Sequence, residues 1–216
     1  MAELLVIRHA QASFGEDDYD RLSDLGHRQS ELAGQALRDA GWMPDRLVTG
    51  TLKRQQETLR SMGFTDSPDT HPGLNEYDFH DLLNTRFGGQ VPDPVRHDRK
   101  THFRTLRETI LDWQGGGLAS ARESWKAFVD RVDAARLFAT QTDARRVLVI
   151  SSGGPIGQLV SRSLGAPPEQ MIALNLQVKN TSWTRFFFSR EAFFLHEFNA
   201  TPHFSTQETA KLLTFS

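Results

Sequence analysis

Leu4-Leu5-Val6-Ile7-Arg8-His9 runs through four apolar residues and stops abruptly on an arginine and a histidine. A strand with one wet face alternates apolar and polar side chains. An unbroken apolar run predicts a strand buried on both faces, as in a parallel sheet covered by helices. Arg46-Leu47-Val48-Thr49 predicts a second short strand, and Arg146-Val147-Leu148-Val149-Ile150 is the clearest strand of the chain. Helical spacing fills the intervals. Ser23 is placed to cap a helix carrying Leu25, Leu32, Ala33, Ala36 and Leu37 and ending near Gly41, and Thr51 to start one that stops at Gly63. Phe128, Val132, Ala135 and Phe138 form one stripe of a helix over Glu123 to Ala139, and Pro155 opens a helix to Leu164, where its fixed φ suits the first turn. Ser182 to Phe188 and Ala192 to Phe198 predict two strands joined through Ser189-Arg190-Glu191. Asp66 to Pro72 predicts a loop. The pattern from Tyr77 to about Leu111 is irregular and polar, broken by Pro92 and Pro94, with a helix-like stretch from Asp98 and a flexible join at Gly115-Gly116-Gly117. The expected fold class is α/β: a three-layer α/β/α sandwich with a mostly parallel sheet, one domain over 1–216, and a small inserted helical and loop lid at about 77–122.

The bulk composition narrows the class. A chain of 216 residues is long enough for one sizeable core. A net charge of -2 gives no basic face for nucleic acid. The absence of cysteine excludes disulfides, thiolate metal sites and a cysteine nucleophile. Four apolar residues before Arg8 are too few for a secretory leader, and no later stretch approaches a membrane span, so the expectation is a cytoplasmic protein without a membrane partner.

In open α/β sheets, ligands bind at the carboxyl ends of strands. Three predicted strands end at Arg8-His9, at Thr49-Gly50 and at Ser151-Ser152-Gly153-Gly154, where the sequence turns polar and glycine-rich. Arg8 and Arg54 offer guanidinium forks that match phosphate oxygens, and Gly153-Gly154-Pro155 offers backbone N–H groups at a helix start. A small phosphorylated substrate or inorganic phosphate is the expected ligand. No GK loop is present, and Ile150 stands where a nucleophile elbow needs its first glycine, which argues against a nucleotide loop and a serine hydrolase. His97 and His102 are wrongly spaced for two ligands on one helical face, so no metal is expected.

Six segments then carry a resemblance. Leu5-Val6-Ile7-Arg8-His9-Ala10, Leu22-Ser23-Asp24-Leu25-Gly26-His27-Arg28-Gln29, Leu52-Lys53-Arg54-Gln55-Gln56-Glu57-Thr58, Leu74-Asn75-Glu76, Glu123-Ser124-Trp125 with Phe128, Arg131 and Val132, and Val147 to Ile156 follow one another over most of the chain. Together they resemble the signatures of the histidine phosphatase (phosphoglycerate mutase-like) superfamily. The resemblance implies a phosphomonoester hydrolase without a cofactor. His9 attacks phosphorus and becomes a phosphohistidine, Glu76 protonates the leaving oxygen, and Arg8, Arg54, Ser152 and Gly153 hold the phosphate. The pattern breaks at Ser152, where the family carries a second histidine, at Ala10 in place of glycine, and at Gly15, where many members carry a phosphate-binding asparagine. Two alternatives therefore stand beside hydrolysis: a catalytically impaired member that binds phosphorylated ligands as a regulatory module, and a mutase-type phosphotransferase. His80 and His102 are candidates to lean in for the missing histidine. The basic run from Arg96 to Arg104 would attract further negative charge if it faced His9, and the paired C-terminal strands offer an edge for a homodimer.

Overall fold

The chain enters on β1 (Ala2–Arg8), whose middle residues Leu4 to Ile7 are all buried. In the computed structural model, residues 1–13 and 20–215 are described, with Arg96, His97 and Arg99 described by backbone alone. From β1 the order is α1 (Asp24–Asp39), β2 (Arg46–Thr49), α2 (Lys53–Ser61), β3 (Asp69–Thr70), α3 (Phe79–Arg86), α4 (Asp93–His97) and α5 (Arg99–Gln114). Then come α6 (Trp125–Thr140), β4 (Arg146–Ser151), α7 (Gly153–Ser163), α8 (Gln170–Asn175), β5 (Trp183–Phe188) and β6 (Phe193–Ala200).

The six strands form one sheet in the order β3-β2-β4-β1-β5-β6. Pairings β3–β2, β2–β4 and β4–β1 are parallel, whereas β1–β5 and β5–β6 are antiparallel, so the sheet is mixed, with parallel pairing concentrated in one half. Arg8 lies opposite Ser151 and Thr49 opposite Ile150, which brings the carboxyl ends of β1, β2 and β4 to one level.

Alternate side chains of the buried strands feed two cores. Leu5, Ile7, Leu148 and Ile150 pack with Ala33 and Leu37 of α1 and Leu59 of α2. Leu4, Val6, Val147 and Val149 pack with Phe128 and Val132 of α6 and Ile156 and Val160 of α7. Two apolar faces require two helical layers, which is what the continuous runs dictate. Gly34 lets α1 lie directly on the end of α2, since a Cβ there would sit 2.0 Å from the Met62 carbonyl oxygen.

Side-chain caps mark four of the eight α-helix starts among the described residues. The Ser23 hydroxyl accepts from Gly26 N at 3.0 Å, Asp98 from Thr101 N at 2.7 Å and Ser124 from Ala127 N at 3.1 Å. The structure departs from expectation where the pattern carried little information. The stretch before Asp98 holds two short helices, α3 and α4, and α8 follows α7. Within 66–72, where a loop was expected, β3 forms on exposed residues through its pairing with β2 alone.

Candidate functional site

His9 follows β1 directly and is buried, with only 5% of its surface exposed. Its backbone N–H donates to the Ser151 carbonyl at 2.9 Å, and its own carbonyl accepts from Asn180 Nδ2 at 3.0 Å. The ring Nδ1 lies 2.8 Å from the Ala10 carbonyl oxygen. A carbonyl only accepts, so Nδ1 carries the proton and Nε2 keeps its lone pair. That lone pair accepts from Arg54 Nε at 3.2 Å. Burial, then the Arg54 and Arg8 guanidiniums, hold the imidazole well below its ordinary pKa, and the Ala10 carbonyl opposes them without reversing the result. The ring is a neutral base with its nucleophilic nitrogen turned to a cation.

Arg54 sits in the first turn of α2 and is itself buried. Its Nη1 donates to Asp20 Oδ1 at 2.6 Å, while Asp20 Oδ2 accepts from Lys53 N at 2.9 Å. Asp20 therefore orients the guanidinium, a role that no spacing along the chain reveals. Arg8, at the end of β1, donates through Nη1 to the carbonyls of Val178 and Phe215. Asn180 and Thr214 tie the C-terminal segment to this corner, because Thr214 Oγ1 donates to Asn180 Oδ1 at 2.9 Å.

Glu76 reaches the site from the turn after β3. Both carboxylate oxygens accept from Gly154 N, at 3.1 Å each, in the first turn of α7. Burial raises its pKa above the usual carboxyl range, and that effect outweighs the Gly154 N–H and the two arginines, which lower it. Gly154 is needed at this spot, since a Cβ would lie 2.2 Å from Glu76 Oε1. Tyr77 beside it is buried among Trp113 and Phe128.

Arg8, His9, Arg54 and Glu76 line one cavity of about 660 Å³, together with Tyr77, Asn175 and Asn180. Ser152 and Gly153 are not part of its wall. Ser152 is fully buried, and its hydroxyl accepts from Gln55 Nε2 at 2.9 Å. The same Gln55 nitrogen donates to the Leu74 carbonyl at 2.8 Å, so Gln55 clasps the turn before Glu76 to the end of β4. His80 and His102 both line the cavity. Lys100 and Arg104 of the basic run are exposed and do not, because α5 turns Phe103 and Leu106 inward and these two cations outward. The attraction expected from this cluster therefore finds no support in Lys100 or Arg104. Gly15 lies outside the described residues. Among the described residues no group of three or more His, Cys, Asp or Glu is arranged to hold a metal ion, and no helix is long and apolar enough to cross a membrane.

The profile of the histidine phosphatase superfamily (branch 1) matches residues 4–201. The mitochondrial serine/threonine-protein phosphatase Pgam5 of Drosophila willistoni is 24% identical over 189 residues, which is 83% of this chain and 56% of that protein. PGAM5 of Xenopus laevis is 27% identical over 176 residues, 80% of this chain and 56% of that protein. The chain thus spans little more than half the length of these relatives. Among solved structures, a phosphoserine phosphatase mutant from Entamoeba histolytica in complex with phosphoserine superposes with a TM-score of 0.67 at 18% identity, covering 94% of this chain and 99% of that one. A mycobacterial glucosyl-3-phosphoglycerate phosphatase complexed with VO3 gives 0.66 at 22% identity, covering 93% and 100%. These structural likenesses share the fold.

Proposed function

The chain belongs to the histidine phosphatase superfamily, and on that premise we propose that it hydrolyses phosphomonoesters through a phosphohistidine on His9. The observation that carries this is the ring's hydrogen bonding. With Nδ1–H held by the Ala10 carbonyl, the reactive lone pair lies on Nε2, beside the Arg54 guanidinium.

In the first step Nε2 attacks phosphorus and the ester P–O bond breaks. The departing oxygen takes the proton of the Glu76 carboxyl, whose raised pKa suits it to that donation. Arg54 and Arg8 spread the charge on the phosphoryl oxygens, the dominant lever in phosphoryl transfer. In the second step water attacks phosphorus, Glu76 takes the water's proton, the N–P bond breaks and phosphate leaves. No cofactor enters either step. We place Ser152 and Gly153 behind the phosphate site as supports rather than ligands, since neither lines the cavity. The segment at about 77–122 acts as the lid of a single domain, its α3 and α5 supplying part of the cavity wall. A cytoplasmic location, and a homodimer along the edge strand β6 with its exposed Phe194, belong to the same proposal; cell fractionation and light scattering test them.

The test is steady-state release of phosphate from a phosphomonoester, without added metal, by the wild type and by His9→Ala. The expected result is turnover by the wild type and its loss in the variant. Turnover that survives His9→Ala overturns the assignment. Phosphate binding without any turnover leaves the binding-module alternative in its place.

A further inference from the structure

The floor of the cavity is polar and cationic, whereas the wall above it is mainly apolar, with His80, Asn84 and His102 as its polar members. Phe79 and Leu83 of α3, Val95 of α4, and Phe103 and Leu106 of α5 face the space over His9, and Phe215 closes it from the C-terminal segment. The aromatic part of this wall is continuous. The Phe79 and His80 rings lie 4.0 Å apart, Phe79 and His102 meet edge to face at 6.2 Å, and His102 and Phe103 do so at 5.6 Å. Among the described residues, the only arginines or lysines on the cavity surface are Arg8 and Arg54, both beside His9.

This distribution separates classes of alcohol. The hydroxyls or second anion of a sugar phosphate or a phosphoglycerate would leave water for a wall that is mostly aromatic and aliphatic and offers few partners besides His80, Asn84 and His102, and a polar group left unpaired there costs free energy. A flat apolar ring would shed water from both surfaces, a gain of roughly 25 cal/mol per Å² of apolar area covered, and it would stack edge or face against the existing rings. A volume of about 660 Å³ falls in the range of sites for drug-sized ligands and exceeds what a phosphate alone needs.

We propose that the substrate is the monophosphate of a bulky, apolar, ring-bearing alcohol, with its ring held between the α3–α5 aromatic wall and Phe215. The proposal rests on the phosphatase reading above and specifies its leaving group.

The experiment compares kcat/KM for benzyl phosphate and 2-(1-naphthyl)ethyl phosphate with that for glycerol 1-phosphate, glucose 6-phosphate and 3-phosphoglycerate. All five esters release alkyl alcohols, so differences report the wall more than the intrinsic reactivity of the ester. The ring-bearing esters should exceed the polar ones by about tenfold or more, the discrimination that modest apolar contacts confer in a pocket. Phe103→Ser should reduce that ratio toward one, chiefly by raising KM for the naphthyl ester. Val91→Asn, at a partly buried position between α3 and α4 that lines the same cavity, should reduce it in the same direction and serves if Phe103→Ser does not fold. Equal or reversed preference in the wild type overturns the proposal and leaves the phosphatase reading intact. A ratio unchanged in a folded variant also overturns it. If no ester is hydrolysed, the reading beneath falls and the proposal falls with it.

Discussion

Gly154→Ala separates the two halves of the proposed mechanism. A Cβ at position 154 would stand 2.2 Å from Glu76 Oε1 and 2.6 Å from Tyr77 Cε1, where ordinary contact begins near 3.4 Å. Tyr77 is wedged against Trp113 and Phe128, each about 5.7 Å away centroid to centroid, so the carboxylate is the freer partner and must move by more than an ångström. A general acid works only within hydrogen-bond reach of the oxygen it protonates and supplies about 10²–10⁴ in rate; a displacement of this size costs about 10² at the least. The atoms nearest the new methyl belong to Glu76 and Tyr77 rather than to His9, Arg8 or Arg54, so attack on phosphorus should persist. The assay is kcat/KM across phosphomonoesters whose alcohols range from p-nitrophenol to benzyl alcohol. An acidic phenol leaves without help and a simple alcohol does not, so the loss should be severe for benzyl phosphate and slight for p-nitrophenyl phosphate. A variant that folds and loses activity equally on both esters, or on neither, refutes the assignment of Glu76 as acid.

Further outcomes follow from the same geometry. Activity needs Glu76 protonated and His9 neutral. Because the Glu76 pKa is raised, activity should fall as pH climbs through a value above the ordinary carboxyl range, and this limb should vanish from the kcat/KM profile of Glu76→Gln. Because the His9 pKa is depressed well below 6.5, the acid limb should lie well below that value. His203 is buried against Trp183, with Nε2 2.8 Å from Thr181 Oγ1, and burial holds its pKa at about 4 against 6.5. Its unfolded form binds the proton first, so stability is full above pH 6.5 and falls as pH drops toward 4, by about 3 kcal/mol at the conversion of ~1.4 kcal/mol per pH unit; urea unfolding at pH 7 and 4.5 should show a shallower loss in His203→Gln. Gln55→Leu orphans the buried Ser152 hydroxyl and deprives the Leu74 carbonyl of its Gln55 donor, and should cost about 1–3 kcal/mol in urea unfolding. Ser152→Ala should slow turnover by far less than the ~10²–10³ lost with a transition-state donor, because this hydroxyl is buried against Gln55 away from the cavity.

The strands that build the site were legible because burial on both faces writes a continuous apolar run, and Leu4 to Ile7 and Val147 to Ile150 have no other economical reading. Ser23, Asp98 and Ser124 mark helix starts through their own side-chain chemistry. By contrast, β3 is two exposed residues held by a neighbour, and α3 buries only Leu82 and Leu83, so neither writes a pattern strong enough to see. The site divides in the same way. His9 and Arg8 were readable because a polar pair ending an apolar run is conspicuous. Asp20, Gln55 and Asn180 hold that site through contacts made only after folding, across 34, 97 and 171 positions of sequence, and nothing local marks them. The apolar wall was hidden beneath the basic run, since Phe103 and Arg104 are adjacent in sequence and opposite in facing.

The most direct measurement is a rapid acid-free quench during turnover of a labelled phosphomonoester, followed by peptide mass spectrometry. The account requires an acid-labile, base-stable phosphoryl group on Nε2 of His9 that forms and decays at rates matching turnover. Steady turnover with no phosphorylated enzyme, or a kinetically competent phosphoryl group on any other residue, contradicts it.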